Sequence, residues 1–330
     1  MAVLVTGGAG YIGSHTVDLL RGSGRDCVVY DSLELGHRAS LPSDVPLVVG
    51  AIEDQDLVRE TCRRFSIDAV IHFAAYKAAG ESMHAPAKYF KNNVANGNLL
   101  FDAVQQSGVE RVVFSSTAAV YGTPTASPVS ESAPTSPENP YGESKLMVER
   151  ILGWYDQCHD VRSVSLRYFN AAGASLDGHI GEDWTVTLNL VPIVMKAVLE
   201  RGPKVRIFGN DYPTADGTGV RDYIHVVDLA MAHLQALEYL ERGGNTTVVN
   251  LGTGVGSSVL EVLKATAEVA GCEVPHEMAP RRPGDPAHVY ADNRRAREVL
   301  GWEPAYGLDE IIESAYRWHA SRPNGYDTEP

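Results

Sequence analysis

Two residue sets in this chain could do chemistry together. Tyr141 and Lys145 stand four apart in Asn139-Pro-Tyr-Gly-Glu-Ser-Lys145, a spacing that puts both side chains on one face of a helix. A phenol with a pKa of about 10 is no base at neutral pH unless a cation stabilises its phenolate; the lysine ammonium is such a cation. Far upstream, Gly7-Gly-Ala-Gly10-Tyr-Ile-Gly13 follows an apolar run and opens a helical one. There glycines permit a tight turn, let the backbone approach a pyrophosphate and bring helix close to strand. The helix N-terminus offers N–H groups and a positive dipole to a diphosphate. Tyr-x-x-x-Lys alone occurs by chance on many surface helices. Joined to a dinucleotide turn, it points to hydride transfer.

The elements that must position these groups follow from hydrophobic patterning. Ala2–Thr6, Cys27–Tyr30, Pro46–Val49, Ala69–His72, Arg111–Ser115 and Val161–Tyr168 read as strands, and Tyr11–Arg21, Asp54–Phe65 and Pro86–Gln106 as helices between them. Such alternation predicts parallel βαβ units in an α/β fold, a doubly wound parallel Rossmann sheet. Thr123–Pro140 is a Pro- and Ser-rich loop that ends at the Tyr141 helix. After Asn170 the regularity breaks into Gly- and Asp-rich loops, 173–181 and 209–219, with a helical run over Val259–Ala270. The expected division is a dinucleotide-binding domain over 1–170, with a return segment over 222–240, and a smaller α/β substrate-binding lobe over 171–330. Within the first domain, Asp31 closes the second strand 18 residues beyond Gly13, where an acid hydrogen-bonds the adenosine ribose and repels a 2′-phosphate. NAD is therefore favoured over NADP. Arg38 would be the residue to reverse that choice, but a surface role suits it better, and His37 belongs to the same exposed loop. Thr117 follows the fifth strand, at the strand end where such sheets deliver ligand-contacting residues.

Composition bounds the rest. At 330 residues with 44% hydrophobic and 21% charged side chains, the chain can bury a substantial core in one large domain plus a lobe. A formal charge of -14 argues against nucleic-acid or membrane-surface binding, which need a basic face. Cys27, Cys62, Cys158 and Cys272 are scattered, without Cys-x-x-Cys or His clusters, so no disulfide or metal site is expected and a reducing cytoplasm fits. No apolar run reaches spanning length, and a strand beginning at Ala2 leaves no room for a signal peptide.

Thr117, Tyr141 and Lys145 together resemble the reactive triad of the short-chain dehydrogenase/reductase superfamily. Longer motifs are similar to its extended, sugar-nucleotide-modifying branch, specifically the UDP-glucose 4-epimerase family. They are Gly7–His15, Val70-Ile-His-Phe-Ala-Ala75, Tyr141-Gly-Glu-Ser-Lys-Leu-Met-Val-Glu149, Leu166-Arg-Tyr-Phe-Asn170, Phe208-Gly-Asn-Asp-Tyr-Pro-Thr214, Asp216-Gly-Thr-Gly-Val-Arg-Asp-Tyr-Ile-His-Val226 and Ala279-Pro-Arg-Arg-Pro-Gly-Asp285. The resemblance runs from residue 1 to about 325. It implies NAD-dependent inversion at C4 of a UDP-hexose through a 4-keto sugar, with Tyr141 as base, Lys145 lowering its pKa and Thr117 relaying the proton. It assigns Gly7, Gly10, Tyr11, Ile12, Gly13, Asp31, Ser32, Ile52, Phe73, Ala74, Ala75, Lys77, Asn92, Tyr141, Lys145 and Phe169 to the cofactor. To the substrate it assigns Thr117, Asn170, Asn189, Leu190, Ile207, Phe208, Arg221, Arg282, Asp285 and Val289, the two arginines meeting the diphosphate. It also implies a homodimer formed through helices of the first domain.

Departures from the family pattern carry information. Gly50-Ala51-Ile52 puts alanine where relatives usually hold an aspartate for the adenine amino group, Thr117 replaces the commoner serine, and Val289 stands at a size gate beside the sugar. A tyrosine there restricts the pocket; valine leaves room for an N-acetyl group. Sugar-nucleotide dehydratases and decarboxylases of the superfamily carry acids after the triad's hydroxyl residue, whereas Ala118 and Ala119 follow Thr117 here. Simple C4 inversion survives. The rival expectations are a UDP-glucuronate 4-epimerase, since no residue read here fixes the C6 group, and a non-catalytic dinucleotide sensor, which would not need Tyr141 or Lys145.

Overall fold

Strands with both faces buried read as nearly continuous apolar runs, and the first strands of this chain do so. In β1 (Ala2–Thr6), Val3 and Val5 enter one core cluster and Leu4 the opposite one. In β2 (Asp26–Asp31), Cys27 and Val29 part from Val28 and Tyr30 in the same way. The computed structural model describes residues 2–184, 188–282 and 285–326. Pro283 and Gly284 of the motif ending at Asp285 lie outside the described residues.

With β3 (Leu47–Val49), β4 (Ile67–His72), β5 (Arg111–Ser115), β6 (Arg162–Tyr168) and a strand over Thr247–Leu251, they form a seven-stranded sheet. All six pairings are parallel. The order is Thr247–Leu251, β6, β5, β4, β1, β2, β3. Winding therefore reverses at β1, whose neighbours are β2 and β4, and that crevice is where open α/β sheets bind ligands. Helices α1 (Tyr11–Gly22) and α2 (Gln55–Phe65) cover opposite faces, Val17 and Leu20 in one cluster and Val58 and Cys62 in the other.

The return to this domain is wider than the sequence suggests. The helix Val226–Glu241 packs on α1, with Leu229, Ala232 and Leu237 in its cluster. The chain then adds the Thr247–Leu251 strand, and Leu300 and Trp302 join the same cluster, Trp302 Nε1 donating to the Asp228 carbonyl at 2.9 Å. The expected helix over 86–106 is three pieces: Pro86–Tyr89, a π-helical stretch Phe90–Asn96, and Gly97–Gln106. The wider winding carries one extra residue per turn, which a 3.6-residue pattern does not register. It turns Asn93 inward, where Nδ2 donates to Ser144 Oγ at 3.0 Å.

The lobe has its own core, with Val191, Met195, Val205, Val262, Ile311 and Ile312. Its short strands are paired: Asn170–Ala172 with Tyr223–His225, Val205–Phe208 with His276–Ala279, and Val220–Arg221 between Ser257–Ser258 and His288–Val289. No described helix is long and apolar enough to cross a membrane.

Candidate active site at the carboxyl end of the sheet

The turn after β1 depends on the absence of side chains. Gly7 has φ +71°, and a Cβ there would lie 2.5 Å from the Ala74 nitrogen. A Cβ on Gly13 would lie 2.3 Å from the Gly7 carbonyl oxygen. Gly10 caps α1 without a side chain, so the first-turn N–H groups have no side-chain competitor. From β4, Phe73 and Ala74 both donate backbone N–H to the Thr6 carbonyl, at 2.9 and 3.1 Å, which locks the second wall of the crevice to the first; Ala75 follows, half-buried.

Asp31 is buried and accepts from the N–H groups of Ala9 at 2.9 Å and Leu33 at 2.8 Å. These bonds fix its carboxylate at the strand end beside an exposed Ser32. Ile52 is buried in the second cluster. Ala51 is exposed, and its carbonyl accepts from the Tyr30 hydroxyl at 2.8 Å, so that edge is held by a backbone bond without a carboxylate. Arg38 is exposed, but His37 corrects its expected place on an exposed loop. It pairs with Asp183 at 3.0 Å and stacks on Tyr326 at 5.1 Å, tying the loop to the lobe.

The three residues expected to react come together by backbone approach. The helix Pro140–His159 starts with Asn139 Oδ1 accepting the Gly142 N–H at 2.9 Å and Pro140 at its first position, a favourable start. A Cβ on Gly142 would lie 2.7 Å from the Ala119 carbonyl oxygen, so this glycine lets the helix touch the turn that holds Thr117. Thr117 in turn caps the short helix Ala118–Tyr121, its Oγ1 accepting the Ala119 N–H at 3.1 Å. Thr117, Tyr141 and Lys145 are all buried.

Burial raises the Tyr141 pKa above that of an ordinary phenol, and the Thr117 hydrogen bond acts in the opposite sense. Lys145 falls to about 7, again through burial, with the Glu149 charge opposing. Its Nζ donates to the Ser115 carbonyl at 2.8 Å and lies 4.8 Å from the Phe114 ring centroid. The expected lowering of the phenol by the ammonium is thus not realised in the protein alone: burial raises the phenol and the Thr117 bond is what opposes it. Tyr168 bonds Ser115 Oγ at 2.7 Å, and Phe169 packs beside Val120 and Leu146.

Between the halves, the Tyr11 hydroxyl donates to the Gly173 carbonyl at 2.6 Å, and Ile12 packs half-buried against the first cluster. Asn92 donates to Asn93 Oδ1 at 3.1 Å in the π-helical stretch. Lys77, its side chain 58% exposed, faces the buried Glu182 at 3.6 Å, and Asn189 Nδ2 reaches the same oxygen at 3.4 Å. Burial raises the Glu182 pKa. Sequence reasoning missed this carboxylate, which directly follows the Gly- and Asp-rich loop 173–181 with no pattern to single it out.

On the lobe, Asn170 Nδ2 donates to the Asp222 carbonyl at 3.0 Å. Asn189 precedes the helix that begins at Leu190 without a side-chain capping bond. The Arg282 guanidinium lies 3.8 Å from the Phe208 ring centroid. Arg221 is ion-paired with Asp285, and Val289 is its register partner on the next strand. Ile207 departs from expectation: at 1% exposure its side chain belongs to the lobe core, where it supports Phe208 and offers a ligand no surface.

A family model described as the NAD dependent epimerase/dehydratase family matches residues 3–252. A UDP-glucose 4-epimerase of Halalkalibacterium halodurans is 48% identical over 330 residues, covering 100% of this chain and 98% of that one. One from Streptococcus mutans is 49% identical, with 99% of each chain covered. Among solved structures, a UDP-glucose 4-epimerase from Stenotrophomonas maltophila with bound NAD and formylated UDP-arabinopyranose superposes with a TM-score of 0.95 at 40% identity. That match covers 98% of this chain and 99% of that one.

Proposed function

This chain belongs to the NAD dependent epimerase/dehydratase family, and we propose that its buried Thr117–Tyr141–Lys145 group carries out C4 epimerisation of a UDP-hexose. The protein is an NAD-dependent isomerase of the UDP-glucose 4-epimerase type. The observation that carries the residue assignment is the meeting of the Tyr141 helix with the Thr117 turn, where a Cβ on Gly142 would collide with the Ala119 carbonyl. The residues present fit the dinucleotide. Gly7, Gly10 and Gly13 leave backbone room for a pyrophosphate, Asp31 would take the ribose hydroxyls, and Lys77 and Asn92 stand at the same crevice. We read 1–170 with its returning segments as the NAD-binding part and 171–330 as the UDP-sugar lobe.

When bound, NAD supplies a reversible hydride acceptor and a positive charge. Tyr141 takes the proton of the sugar 4-hydroxyl. Bringing a phenol from about 10 to about 7 requires roughly 4 kcal/mol of phenolate stabilisation, more here because burial opposes it. Thr117 supplies part through its hydrogen bond, and Lys145 supplies part as long as it stays protonated. Thr117 relays the proton to and from the 4-oxygen. The 4-keto sugar turns over about its diphosphate and is reduced on the other face. Ala118 and Ala119 cannot deprotonate a neighbouring carbon, so elimination has no base. Arg221 and Arg282 hold the diphosphate as charge-assisted donors, while Phe208, Asn189, Leu190 and Asp285 frame the nucleoside, leaving the sugar loosely held. Val289 at the gate favours acceptance of N-acetylated sugars as well.

A homodimer is part of this reading. Met147, Ile151 and Trp154 recur along one helical face, with Met147 at 38% and Trp154 at 64% exposure, and Leu99 of the first domain is exposed as well. The four unpaired cysteines suit a cytoplasmic enzyme. The test is incubation with UDP-glucose, UDP-glucuronate and UDP-N-acetylglucosamine separately, with NMR resolving the C4 epimers. Turnover of UDP-glucose and UDP-N-acetylglucosamine is expected; turnover of UDP-glucuronate alone would overturn the assignment.

A further inference from the structure

A buried ion pair stabilises a fold little compared with apolar side chains of the same volume, so one placed beside a reacting centre calls for another role. Glu149 stands one helical turn beyond Lys145, its side chain 6% exposed against 7% for Arg167. Its Oε1 accepts from Ser116 Oγ at 2.5 Å and from Arg167 Nε at 2.9 Å, and Oε2 accepts from Arg167 Nη2 at 2.5 Å. Arg167 Nη1 donates to the Tyr121 hydroxyl at 2.9 Å, which donates to Asn250 Oδ1 at 2.7 Å.

Each partner adjoins the reacting group. Ser116 immediately precedes Thr117. Tyr121 ends the short helix that Thr117 caps. Arg167 precedes Tyr168, whose hydroxyl bonds Ser115, and the Ser115 carbonyl anchors Lys145. One carboxylate thus links the strand end that carries Thr117 to the helix that carries Tyr141 and Lys145.

We propose that Glu149, oriented by Arg167 and Ser116, is a positioning residue of the reaction: its carboxylate favours the ammonium form of Lys145 against burial and ties the Thr117 turn to the catalytic helix. The inference rests on the role given to Lys145 above. Other titratable groups facing this centre do not compete across the working range. His72, on β4, bonds Thr6 Oγ1 at 2.6 Å and is held neutral down to about 3 by burial and by Lys145. Tyr168 on β6, and Tyr89 from the turn ahead of the π-helical stretch, are both pushed up by burial. Arg167 stays charged and offsets part of the Glu149 field. A buried lysine without a nearby carboxylate loses its proton, and an uncharged Lys145 gives the phenolate no support.

The experiment compares holoenzyme variants by the pH profile of kcat with UDP-galactose. In Glu149→Gln the alkaline limb should move down by about one pH unit, with kcat at pH 8 falling about tenfold and KM changing less than about twofold. Glu149→Asp keeps the charge, so the same limb should stay within about 0.3 pH unit of the unaltered enzyme; it carries the test through the Lys145 titration if Glu149→Gln does not fold. NMR titration of isotopically labelled lysine Cε, with the Lys145 signal identified by its loss in Lys145→Arg, should show the same pattern without turnover. Limbs that stay put in Glu149→Gln, or that move equally in both variants, or a Lys145 titration that moves in Glu149→Asp, would overturn the proposal and leave the network a purely structural one. Failure of the unaltered enzyme to epimerise would instead refute the function itself.

Discussion

The two halves of the molecule build their sites by different means. In the sheet half, position comes from backbone and burial: Gly7, Gly13 and Gly142 sit where a Cβ would collide, and Asp31, Thr117 and Lys145 are enclosed. In the lobe, position comes from polar and charged side chains that hold one another. Arg221 pairs with Asp285, Arg282 lies on Phe208, and Lys77 reaches across the junction to Glu182. The first arrangement is fixed once folding is complete. The second can exchange partners, because its ion pairs keep a member within reach of solvent, Lys77 in one and Asp285 in the other. On the proposed function, a cofactor kept through every turnover would suit the first, and a substrate that enters, turns over and leaves would suit the second.

The largest expected effect is acid unfolding, which asks whether the halves are separate in stability as well as construction. His15, His72 and His233 in the sheet half, and His225 and His319 at the lobe, are held by burial at about 4, 3, 4, 4 and 3. The unfolded imidazoles bind protons below about pH 6.5, where the folded ones do not, so stability present above that pH is lost as pH falls toward 4. At about 1.4 kcal/mol per group per pH unit, five such groups exhaust a typical fold stability of about 5–15 kcal/mol near pH 5. Because both halves carry these histidines, circular dichroism and tryptophan fluorescence should report one transition. Two transitions would show the lobe melting by itself.

Next in size, Tyr141→Phe should lower kcat about a thousandfold and leave melting temperature and bound NAD unchanged, since the phenol's stabilising neighbours are few. A loss of tenfold or less would shift the base elsewhere. Gly13→Ala should weaken NAD by roughly 10–100-fold through about 1–3 kcal/mol of overpacking, with UDP affinity by calorimetry unaltered. Equal losses for both ligands would dissolve the contrast between halves. Smallest, Arg221→Met should weaken UDP about tenfold with NAD retained and kcat nearly constant.

Much of the sheet half was legible because its signals are local. A strand, a glycine turn and a helix lie in one stretch of sequence, and Asn139-Pro140 announces the start of the helix that carries Tyr141. The π-helical stretch escaped because Asn92, Asn93 and Asn96 fit a helix of either winding until Ser144 is seen to hold Asn93. The Thr247–Leu251 strand escaped because its partner β6 lies 83 residues earlier in register, Val164 against Thr247 and Leu166 against Val249. Glu149 lay inside a quoted motif, yet its meaning depends on Arg167 from another strand, and Glu182 depends on Lys77 and Asn189. Such long-range pairs exist only after the topology has formed.

The central claim is that hydride leaves the sugar C4 and returns to the same carbon within one bound complex. UDP-galactose carrying deuterium at C4 tests it most directly, with mass spectrometry and NMR of the product formed in ordinary water. The account predicts that the UDP-glucose formed keeps its deuterium at C4. Exchange of the label for solvent hydrogen would contradict it.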